Sequence, residues 1–169
     1  LCTGYTKGQC TSGCNQSTTT NTMPGTNNFS NTFCITTAST LTYNQNFDMN
    51  GGTVCIGPNV TFSSSGGNYN GNWTINNYGT TSRNITLNSG QTFNNYGTFT
   101  GQLTLNGGTV VNYNGATMTP SSFTFNNGSL TNNSGGTFTS TSSVTLNSGS
   151  TFTNNGTLSL NGLTLNSSA

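Results

Sequence analysis

The sequence predicts an all-β fold: a right-handed parallel β-helix (β-solenoid) of about seven coils, ~19 residues each, with three short strands per coil. Three observations predict it. A four-residue unit, apolar-Thr-apolar-Asn, recurs at near-constant spacing. Two further short runs alternate apolar and hydroxyl residues between successive copies, and glycine-bearing corners separate the runs.

The unit is clearest in Ile85-Thr86-Leu87-Asn88, Leu103-Thr104-Leu105-Asn106, Phe123-Thr124-Phe125-Asn126, Val144-Thr145-Leu146-Asn147 and Leu163-Thr164-Leu165-Asn166. Degenerate copies start at Phe47 and Gly67, so successive starts are 20, 18, 18, 20, 21 and 19 residues apart. Slightly unequal turns of one coil give such a period. The second run centres on Val54, Ile75, Phe93, Val110, Leu130 and Phe152, and the third on Leu41, Phe62, Phe99, Met118, Phe138 and Leu158. Alternation with period two sends each apolar centre inward and its hydroxyl neighbours outward.

Corners follow from Ser89-Gly90, Asn106-Gly107-Gly108, Tyr96-Gly97 and their equivalents, where glycine supplies a positive φ. Strands this short favour coil-on-coil parallel pairing over hairpins, at ~4.8 Å per coil, giving a rod on the order of 35 Å long. Right-handedness is expected because parallel crossovers overwhelmingly are.

Composition narrows the function. The 169 residues are 28% hydrophobic and 2% charged, with Lys7, Arg83 and Asp48 the charged side chains and no histidine. A lone carboxylate and a lone lysine cannot form an acid-base pair, so no enzyme is expected. No metal or cofactor site is expected either, because metal centres need several His, Cys or carboxylate ligands. A net charge of +1 argues against nucleic acid as a partner. No run approaches the ~18 apolar residues that would insert in a membrane. So polar a chain could also be disordered, but the apolar register argues for order.

The asparagine closing each unit recurs at Asn50, Asn70, Asn88, Asn106, Asn126, Asn147 and Asn166. Stacked carboxamides can hydrogen-bond along the axis as a ladder; the alternative is that asparagine merely tolerates the turn. A ladder predicts that Asn106→Ala costs ~1–3 kcal/mol.

Residues 1–27 do not follow the register and read as a cysteine-containing N-terminal cap or arm, with residues 28–169 as the solenoid. The five cysteines, Cys2, Cys10, Cys14, Cys34 and Cys55, suggest an oxidising compartment and a stapled N-terminus. The simplest pairing bonds Cys34 and Cys55 to two of Cys2, Cys10 and Cys14. A direct Cys34–Cys55 bond and zinc held by Cys10 and Cys14 are alternatives. The odd cysteine is left free or bonds another chain. The start at Leu1-Cys2 reads as a mature, exported chain.

On its repeated apolar-Thr-apolar-Asn-x-Gly unit, over residues 28–169, the chain resembles the secreted bacterial β-solenoid proteins rich in Asn and Thr that occur in surface adhesins and extracellular fibres. The resemblance implies a right-handed, exported, non-catalytic protein. Pectate-lyase-like β-helix enzymes share the architecture but line their groove with several acids and bases, which Asp48 alone cannot supply.

The final coil begins at Leu163 with no helix, charge or cysteine to cover it. Either the chain is cut from a longer protein or the next subunit completes the end, head-to-tail. The expectation is therefore a homopolymeric structural subunit of an extracellular fibre or cell-surface filament. An alternative lies on the third face, where Thr98, Thr100, Thr117, Thr119, Thr137 and Thr139 form part of a Thr-x-Thr array that looks like that of ice-binding β-solenoids. A third reading is an adhesin stalk binding carbohydrate through Tyr69, Trp73, Tyr78, Tyr96 and Tyr113. Sequons at Asn59, Asn72, Asn84 and Asn155 could accept glycans.

Overall fold

Alternation and corner glycines build a stack of strands, several of which run 9–11 residues through a corner and so join two of the short runs expected from the sequence. The computed structural model describes residues 10, 13–24, 28–46, 48–63 and 66–166. Its strands are β1 (Gln16–Thr18), β2 (Asn28–Phe29), β3 (Thr32–Ile35), β4 (Leu41–Tyr43), β5 (Asp48–Ile56), β6 (Val60–Phe62), β7 (Tyr69–Asn77), β8 (Thr80–Thr81), β9 (Ile85–Asn88), β10 (Thr92–Asn95), β11 (Thr98–Phe99), β12 (Gln102–Asn112), β13 (Thr117–Met118), β14 (Ser122–Asn132), β15 (Thr137–Leu146), β16 (Ser150–Asn154) and β17 (Thr157–Leu165). Every pairing among them is parallel and joins one coil to the next, giving a β-solenoid of about seven turns.

Inward columns on each of three faces form the core, among them Ile85, Leu103 and Phe123 on the first face and Ile35 and Ile56 on the second. On the second face Phe33, Val54, Ile75, Phe93, Val110, Leu130 and Phe152 pair in unbroken sequence, with Gln16 in the same column at the base. The first face carries Phe29, Met49 and Tyr69, then Leu87, Leu105, Phe125, Leu146 and Leu165. The third carries Tyr43, Phe62, Thr81, Phe99, Met118, Phe138 and Leu158, with Met23 against Tyr43 below. Most of these side chains are fully buried and belong to one continuous cluster. Each such apolar burial stabilises by about 1.5–3 kcal/mol, which is how a narrow axial core serves a chain this polar.

Two details differ from the sequence reading. Tyr43, rather than Leu41, is the residue in register with Phe62; Leu41, two residues earlier on the same side, pairs with Val60 and is half-buried against the core. β1 lies within the segment read as a cap or arm and pairs in register with β3, forming the lowest rung of the second face among the described residues.

The corner glycines divide into two kinds. Gly90 and Gly149 have φ near +80°, the left-handed conformation expected of them. Gly79 and Gly97 instead admit the coil below: a Cβ on Gly97 would lie 2.1 Å from the Gly79 carbonyl oxygen, and one on Gly79 would lie 2.3 Å from that of Gly57.

Candidate functional site

Because alternation turns hydroxyl residues outward on the third face, strict coil stacking lines them up. Thr42, Thr61, Thr80, Thr98, Thr117, Thr137 and Thr157 pair in one unbroken row. Two residues along, Ser63, Ser82, Thr100 and Thr119 each donate a backbone N–H to the coil below, and Thr139 pairs with Ser159. A second hydroxyl row thus runs beside the first. Both rows are partly or fully exposed, whereas the intervening Phe99, Met118 and Phe138 are buried.

The sequence-predicted asparagine ladder lies on the exterior. Asn126 donates from Nδ2 to Oδ1 of Asn106 at 2.9 Å, Asn147 to Asn126 at 3.0 Å, and Asn166 to Asn147, all exposed. Lower down, Asn50 is in register with Asn70, and Asn88 with Asn106.

A second ladder, missed in the sequence, is buried. Asn77, Asn95, Asn112 and Asn132 each donate from Nδ2 to Oδ1 of the next, ending at Asn154, over 2.7–2.8 Å. The same nitrogens reach the carbonyls of Thr98, Thr117, Thr137 and Thr157 at 2.9–3.0 Å. Each amide therefore satisfies a corner carbonyl as well as its neighbour, which is what permits a polar column to sit fully buried. Its lowest member, Asn77, stacks on Ile56, so its Oδ1 has no donor among the described residues. The signal was the recurrent Asn-Tyr-Gly or Asn-Asn-Gly after the second run, as at Asn95-Tyr96-Gly97.

The second face is strapped at its base. Cys10 is bonded to Cys55 and Cys14 to Cys34, with Cα atoms 5.6 and 5.8 Å apart. Cys34 and Cys55 are stacked neighbours, and each is bonded to the N-terminal segment rather than to the other or to zinc. Cys2 and Lys7 lie outside the described residues.

Above the strap, Tyr78 packs against the cystine cluster and begins a stack with Tyr96 and Tyr113, ring centroids 4.6 and 4.1 Å apart and planes within 14°. Burial raises the Tyr78 and Tyr96 phenols above their ordinary range. Trp73 is buried, and Tyr69 carries the Arg83 guanidinium 4.4 Å over its ring. The faces of these rings are thus largely taken by intramolecular packing, leaving little for stacking on a sugar. Burial also lowers the Arg83 pKa. The sequon asparagines Asn59, Asn72, Asn84 and Asn155 are exposed.

At the far end the columns surface. Leu158, Leu163 and Leu165 are 38%, 52% and 62% exposed, although Phe138, Val144 and Leu146 directly beneath them are buried. Among the described residues β16 and β17 each have a strand below and none above. No protein-family model, curated protein or solved structure shows significant similarity to this chain.

Proposed function

We propose that this chain is a non-catalytic structural subunit of an extracellular protein fibre or cell-surface filament, assembling head-to-tail by stacking of coils. The observation that carries this reading is the highest described rung: three leucines in line with buried columns stand exposed along a strand edge that pairs with no strand above it among the described residues. Such an edge is a template for another strand. A heterologous contact between unlike ends does not close, so it grows a filament. Two disulfides in a chain this small support an oxidising, extracellular setting. Electron microscopy of the purified protein with sedimentation analysis tests it: filaments are expected, and the double substitution Leu163→Lys with Leu165→Lys should leave folded monomers. A wild-type chain that stays monomeric at high concentration overturns the reading.

One observation favours a second reading, binding to ice. The seven threonines of the third face form an unbroken row with a parallel hydroxyl row beside it, a regular surface on which water could order. Thermal hysteresis that disappears in Thr117→Tyr would establish that reading, and its absence in the wild type would exclude it.

A further inference from the structure

The geometry points to a modification site at the corner after the second face: the stacked phenols of Tyr78, Tyr96 and Tyr113 are where a one-electron oxidant of the haem peroxidase class joins neighbouring coils through a dityrosine bond. This does not rest on the fibre reading and holds for a single chain.

The stack follows from the corners that carry it. Each of the three tyrosines directly follows a member of the buried amide ladder, Asn77, Asn95 and Asn112. The backbone N–H of each bonds the coil below, Tyr78 to the Ile56 carbonyl, Tyr96 to that of Asn77 and Tyr113 to that of Asn95. Successive coils therefore present the same backbone at the same place, and Gly79 and Gly97 bring these corners closer than a Cβ would allow. As a result the rings lie flat on one another, with planes 7° apart for Tyr78 and Tyr96 and 14° apart for Tyr96 and Tyr113. Below Tyr78 the column passes to Gly57 and above Tyr113 to Asn133. Tyr96 is thus the middle ring of three.

Oxidative coupling of phenols has three requirements, and the stack meets each. The rings must touch before reaction, and centroids 4.6 and 4.1 Å apart place them in contact. The carbons ortho to the hydroxyls must face one another, which needs both hydroxyls on the same side. Burial raises the Tyr96 phenol and hydrogen bonding with Tyr113 adds to that, so these two hydroxyls lie side by side. The oxidant must also reach the rings. All three are half-buried, whereas Tyr43 is fully buried.

Each of two neighbouring phenols gives up one electron and its hydroxyl proton, becoming a phenoxyl radical. The radicals join by one carbon–carbon bond between ortho positions, and the hydrogen on each of those carbons moves to its ring's oxygen, restoring both aromatic rings and both hydroxyls. The pair loses two hydrogens in all; those two electrons and two protons reduce one hydrogen peroxide to two waters. Because Tyr78 packs against the cystine cluster, a bond from it to Tyr96 extends upward the covalent strap that the disulfides make at the base.

The test is oxidation of dilute, folded protein by a haem peroxidase with hydrogen peroxide, with free tyrosine in a parallel reaction as the control for oxidant activity. The readouts are dityrosine fluorescence, mobility on a reducing, denaturing gel and mass spectrometry of digested peptides. Monomeric chains lighter by two hydrogens are expected, with Tyr96 linked to Tyr78 or to Tyr113. Tyr113→Phe should confine the link to 78–96, and Tyr78→Phe should confine it to 96–113. Tyr96→Phe keeps the ring, and with it the stack, but should abolish the link within the chain, because Tyr78 and Tyr113 are two coils apart. A link within the chain that persists in Tyr96→Phe overturns the site. Dityrosine found only between chains, or absent while free tyrosine is coupled, overturns it as well.

Discussion

Asn95 donates from Nδ2 to Oδ1 of Asn112 at 2.8 Å, and the same nitrogen lies 3.0 Å from the Thr117 carbonyl. Asn112→Ala removes the acceptor for Asn95 and the donor for Asn132 in a fully buried column. The expected loss in a urea titration is about 3 kcal/mol. Asn126→Ala on the exposed ladder should cost less than about 1 kcal/mol, below what the sequence alone suggested for its neighbour Asn106, because water replaces the lost bond. Equal losses at the two sites would mean that burial does not govern the ladders.

The strap closes loops of 45 and 20 residues. Removing either bond, as Cys10→Ser with Cys55→Ser or Cys14→Ser with Cys34→Ser, should lower stability by about 3–4 kcal/mol on the loop-entropy account. Mass spectrometry of a non-reducing digest should recover the 10–55 and 14–34 peptide pairs. Recovery of a 34–55 pair would refute this arrangement.

Gly97→Ala should be destabilising by about 1–3 kcal/mol, since the added methyl must push the Gly79 carbonyl out of the coil below. Gly115→Ala has open space but a φ of +76°, so its smaller cost, about 1 kcal/mol, would come from the backbone alone. Thermal unfolding of the pair separates close approach from conformational preference.

Alkali should unfold the protein. Burial pushes the Tyr43 phenol up to about 12 and raises Tyr69, Tyr78 and Tyr96 as well. A group whose pKa is higher folded than unfolded contributes stability that is complete below the unfolded value near 10 and is lost as pH rises through the folded one. The melting temperature should therefore fall above pH 10, in parallel with tyrosinate absorbance. With no histidine in the chain it should change little between pH 5 and 8. A steep acid-side transition in that interval would contradict this assignment.

The core was legible because Phe93, Val110 and Leu130 are scarce apolar residues on a fixed register, and period-two alternation leaves them one side to occupy. The buried ladder was not. Its column changes from Ile35 and Ile56 to Asn77 partway up, so no single residue class marks it. In a chain so rich in asparagine, Asn112 reads like any surface residue until its corner carbonyl is seen. Tyr43 escaped for a related reason: Leu41 and Tyr43 lie on the same side of one strand, and only the pairing of Tyr43 with Phe62 tells which continues the column. The lowest described rung, Gln16–Thr18, lacks any apolar residue and so left no trace in the hydrophobic pattern.

The row from Asn77 to Asn154 also has a direction. All four of its amide-to-amide bonds point from the lower coil to the upper one, whereas the exposed row donates from the upper coil to the lower, Asn166 to Asn147 to Asn126 to Asn106. In a molecule with almost no formal charge the two rows are thus antiparallel, and their amide dipoles, of roughly peptide size at about 3.5 D each, oppose one another along the axis.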